Sequence, residues 1–162
     1  MGAEEDVHAL VDGLDYPMVV VTTEAAGERS GCLVGFVTQS SIDPPRFLVL
    51  LSKANHTYGV ARHADRLAVH FLHEGNRHLA ELFGEQTGDD VDKFARCAWT
   101  DGPGGLPVLT GTRGWFAGRV LGRLDAGDHV AHLVDVAAAA VDTPGPPLTF
   151  QAVRDLEPGH PA

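Results

Sequence analysis

Two long segments of β-type patterning, Arg113 to Asp125 and Asp128 to Val141, meet at Ala126-Gly127, and this hairpin limits the fold more than any other feature of the chain. Long antiparallel strands need further strands to cover them, and the sequence supplies these as short apolar runs between turn signals. Met18 to Thr23 is β-branched and continuous. Gly31 to Thr38, Arg46 to Ser52, Arg66 to His73 and Pro107 to Leu109 follow. At least six short strands, two or three short helices and the hairpin predict a mainly β fold, a barrel with small helical excursions, and argue against a parallel doubly wound sheet. The alanines from Ala137 to Ala140 fit either the end of a strand or a helix, since alanine is the best intrinsic helix former.

The helices are short. Val7, Leu10, Val11 and Leu14 are spaced as one face of an amphipathic helix over residues 3 to 14. A second helix is expected from Tyr58 to Ala64 with Asn55 or Thr57 as N-cap, and a third from Asn76 to Phe83 with Leu79, Leu82 and Phe83 on one face. Ala26 to Arg29 reads as a polar turn, Ser40 to Pro45 as irregular chain around its double proline, and Gly84 to Asp90 as a loop. Gly31 and Gly35 within one strand point to a close approach of something to the backbone, or to a bulge. After Leu148-Thr149-Phe150 a polar tail is expected to be mobile.

The 162 residues suit one domain, with a core over about 16–150 and a tail at 151–162. No apolar run approaches the ~20 residues of a membrane span, and the acidic start MGAEEDVHAL is not an export signal, which points to the cytoplasm. A net charge of −10 is the wrong sign for a nucleic-acid partner. Cys32 and Cys97 stand sixty-five residues apart without a CxxC, as free thiols of a reducing compartment do, and no zinc knuckle is possible. There is no GxGxxG after a strand, no Walker loop, no HExxH and no GxSxG. None of the four serines sits in a nucleophile elbow, so serine hydrolase chemistry lacks a basis. His70, His73 and His78, and His129 with His132, suggest metal ligands, but positions three apart on a strand face opposite ways, so no metal site is expected.

The informative cluster runs from Gly31 to Thr57. Thr38, Gln39, Ser40 and Ser41 lie at a strand exit, and Ser52, Lys53, Asn55 and Thr57 lie before a helix. Short hydroxyls, exposed amides and one cation suit a terminal phosphate, which brings about two negative charges and several acceptor oxygens. Capping and turn formation account for the same residues equally well.

The stretch GCLVGFVTQSSIDPP, residues 31 to 45, resembles the G-x-T-A-N-S-F-x-S-V-S-x-D-P-P segment of the flavin reductase-like, FMN-binding split-barrel family. Ser52 to Thr57 falls at that family's S-x-x-S-x-T, Leu67 to Leu72 at its F-A-V-N-V-L strand, and Asp92-Lys93-Phe94 at its D-K-F. Trp99, Gly105 to Leu109, Trp115 and the G-D-H of Gly127-Asp128-His129 follow in order, so that the resemblance covers about residues 16 to 150. It implies a split β-barrel (Greek-key type) with short peripheral helices, a homodimer with flavin in a groove near the subunit interface, and reduction of FMN, or of FAD, by NADH or NADPH. It implies a partner monooxygenase as one user of the reduced flavin. Thr38, Gln39, Ser40, Ser41, Ser52, Lys53, Asn55 and Thr57 would hold the phosphate and ribityl chain, with Lys93 and Phe94 as second-rank contacts. Asp128 and His129 would bind the nicotinamide, unless Gly127 merely makes the hairpin turn and Asp128 bonds its backbone.

The chain departs from the family at Leu33, Gly35 and Gln39, where Thr, Asn and Ser are usual, so contacts to the flavin edge fall to backbone groups or are lost. His70 replaces a common Asn and reads either as a flavin contact or, preferably, as a hydrogen-bonded core histidine. Cys32 reads as a small buried residue rather than a redox thiol. Two rival functions remain at this level: a flavin carrier or sensor that nicotinamide does not reduce, and a split barrel that uses a deazaflavin. No catalytic acid or base is expected, because hydride transfer depends on stacking.

Overall fold

In the computed structural model, which describes residues 2–85 and 91–157, the strands form a curled antiparallel sheet. In chain order they are β1 (Val19–Ala25), β2 (Glu28–Val34), β3 (Val37–Ser41), β4 (Arg46–Ser52), β5 (Arg66–Phe71), β6 (Trp99–Asp101), β7 (Pro107–Leu109), β8 (Gly114–Asp125), β9 (His129–Asp135) and β10 (Ala138–Val141). The sheet order is β2-β1-β5-β8-β9-β4-β3, with β10 also on β8, while β6 and β7 pair separately. Four helices, α1 (Ala3–Asp12), α2 (His56–Ala61), α3 (Arg77–Glu85) and α4 (Phe150–Val153), lie at the periphery. The result is the expected mainly β half-barrel with short helices, and among the described residues no helix is long and apolar enough to cross a membrane.

The curl is made by β8. Its first half, Gly114 to Arg119, pairs with β5, and its second half, Val120 to Asp125, pairs with β9 across a register shift between Val120 and Gly122. At the change of partner the Asp135 carbonyl lies so close to Gly118 that a Cβ there would overlap it, and the Asp135 side chain accepts from Arg119 N at 2.6 Å. Glycine is the residue that permits this crossing, as is usual where a strand passes from one sheet to another.

Cores form on both faces of the central strands. Val19, Val21, Val49, Leu51, Leu67, Val69, Phe116 and Val134 fill the barrel, while Val20, Leu72, Leu79, Phe83 and Leu148 pack under α3 and α4. Consecutive valines of β1 thus point into two different cores, which is why that strand reads as a continuous apolar run rather than an alternating one.

His70 belongs to this interior. It is fully buried, its Nδ1 is 2.9 Å from Val20 O, and its Nε2 accepts from Leu109 N at 3.0 Å. The core reading of this histidine is the one realised. Burial pushes its pKa down to about 4, the Val20 carbonyl opposing the shift.

Several elements differ from their sequence reading. The strand expected from Gly31 to Thr38 is broken at Gly35-Phe36 into β2 and β3. The Ala26-Gly27 turn, with both residues at positive φ, is tight enough for β2 to begin at Glu28. The segment after the hairpin breaks at Val136-Ala137, and Ala138 to Val141 turn back to pair with β8, so tertiary pairing overrides alanine's helix preference. Helix α2 starts at His56, two residues earlier than expected, with Asn55 as the cap. No residue of α1 is buried, and Val7, Leu10, Val11 and Leu14 are between 47% and 75% exposed, so its apolar face covers nothing in this chain. The start of the tail is held rather than mobile: Val153 is buried, Gln151 Nε2 donates to Leu14 O at 2.7 Å, and Arg154 pairs with Asp12 at 2.7 Å. The rest of the tail, 158–162, and most of the loop expected at 84–90, residues 86–90, lie outside the described residues.

Two measurements check this architecture. Gly118→Ala is expected to lower the stability to urea by roughly 1–3 kcal/mol, as overpacking does, with Gly122→Ala, where space is open, as the tolerated control. Because the folded pKa of His70 lies below its unfolded value, the folded state binds fewer protons between the two. Its contribution is therefore complete above about pH 6.5 and is lost as pH falls toward 4, at up to about 1.4 kcal/mol per pH unit. Urea midpoints at pH 7 and pH 4.5, for the native chain and for His70→Gln, should show a smaller acid loss in the variant.

Candidate functional site

The break between β2 and β3 opens a groove of about 340 Å³, bounded by the end of β4, the β8–β9 hairpin and α4. Its floor is apolar, made by Leu33, Val34, Gly35 and Leu50. On one side Tyr16 stacks on Phe150, with ring centroids 4.9 Å apart. On the other Phe36 packs against His129 at 5.0 Å. Gly35 is tied to this arrangement, since a Cβ there would stand 2.6 Å from the Tyr16 ring. At Gly31 a Cβ would stand 2.8 Å from Phe83. The close approaches that the two glycines signal are therefore made by the protein's own aromatic rings.

Polar groups gather at one end. Ser52 ends β4 directly opposite His129, the first residue of β9, so strand register brings the two expected sites together. Ser52 Oγ accepts from Ala54 N at 3.3 Å, and Asn55 Oδ1 accepts from Thr57 N at 2.9 Å. Lys53 N donates to Asp128 O at 2.9 Å, and its ammonium donates to both Asp125 oxygens at 3.0 and 2.9 Å. That hydrogen bond and charge hold the Asp125 carboxyl below its ordinary pKa. Asp128 is held down likewise by its 2.6 Å contact to His129 Nδ1. Gly127, at positive φ, makes the hairpin turn, and the Asp125 carboxylate accepts from its N–H at 3.1 Å.

Other expected residues are elsewhere. Thr38, Gln39, Ser40 and Ser41 run along β3 away from the groove. Ser41 pairs with Arg46, at the far end of β4 from Ser52, about 20 Å away at ~3.3 Å per residue. Gln39 Nε2 donates to Ser41 O, and Thr38 Oγ1 to Gln39 O. The Thr57 hydroxyl is buried against Ser30 Oγ at 2.8 Å. Lys93 is only 5% exposed, its ammonium donating to Gly31 O and Phe83 O at 3.1 Å each, and burial lowers its pKa. Phe94 is buried between Phe83 and Trp99. Both residues serve the second core, since the 3-10 turn Lys93–Arg96 packs inward beneath α3. Cys32 is buried and its thiol is pushed up to about 11, as befits a packing residue. Among the described residues no three His, Cys, Asp or Glu side chains converge as a metal site.

Sequence reasoning missed the aromatic walls. Tyr16 and Phe150 meet because Pro17 bridges to Thr149 and Phe150 N donates to Tyr16 O at 2.8 Å, a pairing of the two chain ends. The one local signal was Phe36, an aromatic residue directly after a glycine in a strand.

Fold and groove define a split-barrel protein with an apolar, aromatic-walled slot and polar groups at one end. The chain belongs to the flavin reductase like domain family, which it matches over residues 11–157. It is 32% identical over 135 residues to the FMN reductase (NADH) RutF of Methylorubrum extorquens, an alignment covering 83% of this chain and 65% of that protein. The chain spans 38% to 65% of the length of three curated relatives that it matches. Among solved structures, a flavin reductase domain protein from Arthrobacter sp. FB24 superposes with a TM-score of 0.85 at 22% identity, covering 98% of this chain and 96% of that one. An FMN-binding protein from Thermus thermophilus superposes with a TM-score of 0.75 at 26% identity, covering 80% and 72%.

Proposed function

We propose that the protein is an NAD(P)H-dependent flavin reductase that takes FMN in the groove and passes reduced flavin to an acceptor, a partner monooxygenase being one. The observation that carries this reading is the meeting of Ser52, Asn55 and His129 at one end of an apolar, aromatic-walled slot, with Lys53 beside them bonded to Asp128 O and Asp125. The residues fit the group: a flat ring suits the slot, and an anionic tail suits the rim. The names of the Methylorubrum and Thermus proteins point the same way.

Bound flavin supplies a two-electron acceptor for hydride from the reduced nicotinamide. The protein's residues then have to bind, orient and exclude water rather than act as acid or base. Leu33, Val34 and Gly35 offer no side-chain donor. Among the described residues the Phe36 carbonyl accepts from Leu50 N without a return bond from Phe36 N, so the backbone at Gly35-Phe36 is the donor available to a ring edge. Ser52, Lys53 and Asn55 hold the phosphate, for which an arriving anion competes with Asp125 for the Lys53 ammonium. Asp128 fixes the orientation of His129 for contact with the nicotinamide. The homodimer and a cytoplasmic location belong to the same proposal, the latter supported by two free thiols and a nicotinamide donor.

Visible spectra recorded anaerobically test it. Added FMN should give the bands of bound oxidised flavin, and NADH or NADPH should bleach them; bands that persist with both donors indicate a carrier or sensor. Lys53→Ala should weaken FMN binding by about five- to tenfold while leaving riboflavin, which lacks the phosphate, unaffected and the unfolding midpoint near that of the native chain. Equal FMN affinity in the two proteins rejects the phosphate site.

A further inference from the structure

The groove has two aromatic walls of different character. Tyr16 is committed to the fold: it stacks on Phe150, its ring fills the space above Gly35, and it packs against the core beneath α3 and α4. Phe36 is not. It is 53% exposed although it lies beside a groove whose floor is apolar, and among the described residues its one ring neighbour is His129. Its backbone is nonetheless fixed, because Phe36 O accepts from Leu50 N at 3.0 Å and the next residue, Val37, is already paired with Val49. His129 is fixed too, through the 2.6 Å contact to Asp128 and its register opposite Ser52. A large apolar ring is thus held in the open, next to the slot, on a backbone and beside a histidine that are each tied by hydrogen bonds.

We infer that Phe36, backed by His129, is the stacking residue that sets affinity for the flat ring in the groove. This rests on the flavin reading above and deepens it. An exposed aromatic face costs the free protein contact with water that a planar ligand removes, and offset stacking adds to that gain. The floor carries no side-chain donors at Leu33, Val34 and Gly35, so ring affinity here depends on contact area and stacking more than on hydrogen bonds to the ring edge. Because FMN and riboflavin carry the same ring, Phe36 acts on both alike, whereas Lys53 acts on the phosphate alone.

The test compares the native chain with Phe36→Ala and Phe36→Trp, using FMN and riboflavin as probes. Dissociation constants are read from flavin fluorescence, and folding from the unfolding midpoint. Phe36→Ala is expected to weaken both flavins by about five- to tenfold without moving the midpoint, since the side chain supports little of the core. Phe36→Trp should keep the affinity and quench the emission of the bound flavin more deeply, a signature that a structural role for residue 36 would not produce. Native binding with equal affinity in Phe36→Ala overturns the inference and leaves the flavin reading standing. Failure of the native chain to bind either flavin overturns both.

Discussion

The whole arrangement depends on the passage of one strand past another at Gly118. Among the described residues, strand β8 is the longest and the only one that pairs with three others, β5, β10 and β9. It can do so because the Asp135 carbonyl occupies the volume where a side chain would be, with the Asp135 carboxylate accepting from Arg119 N just beyond. That crossing sets the angle between the half of the sheet that carries β1, β2 and β5 and the half that carries β9, β4 and β3. Interiors are packed like crystals, so a fixed angle at the crossing fixes the two cores on either side of it.

The site follows from the same geometry. With β9 turned onto β4, His129 is paired with Ser52, and the hairpin turn is carried to the segment before α2, where Lys53 binds both the Asp128 carbonyl and the Asp125 carboxylate. On the other side β2 and β3 must part where the sheet folds over, and they part at Gly35-Phe36. The same break leaves Phe36 in the open, and the missing side chain at Gly35 admits the Tyr16 ring. The groove is therefore the place where a curled sheet fails to close on itself, lined by strand ends rather than by a dedicated loop.

Much of this was legible in the chain. Strand β4 was read to the residue, the hairpin turn at Gly127 was placed, and the cap was narrowed to Asn55 or Thr57, of which Asn55 is the one used, because capping chemistry is local. What was not legible depends on distance in space. Thr38 to Ser41 and Ser52 to Thr57 are close in sequence and similar in composition, yet antiparallel pairing sends them to opposite ends of β4. Lys93 was a second-rank flavin contact by resemblance, but its ammonium is buried beneath α3 on two backbone carbonyls, and nothing in its sequence neighbours announces that. The amphipathic spacing of α1 described the helix but not that its apolar face is left open, since periodicity reports which face is apolar and not whether anything covers it.

The acidity of the chain bears on how such a groove can take anionic cofactors. A net charge of −10 opposes a nucleotide at long range, but exposed charges lose most of their reach beyond about 8 Å at physiological ionic strength. What matters is the balance within that distance. At the rim, Lys53 faces Asp125 and His129 faces Asp128, so the acids there are already engaged by basic groups of the same chain. The Lys53 ammonium is thus already shared with Asp125, so in the proposed reading the contact that is indifferent to salt comes from the slot, with its apolar floor and aromatic walls. Under the proposed function the rim would meet the phosphate and the apolar slot the ring, a division of labour that does not call for a basic surface.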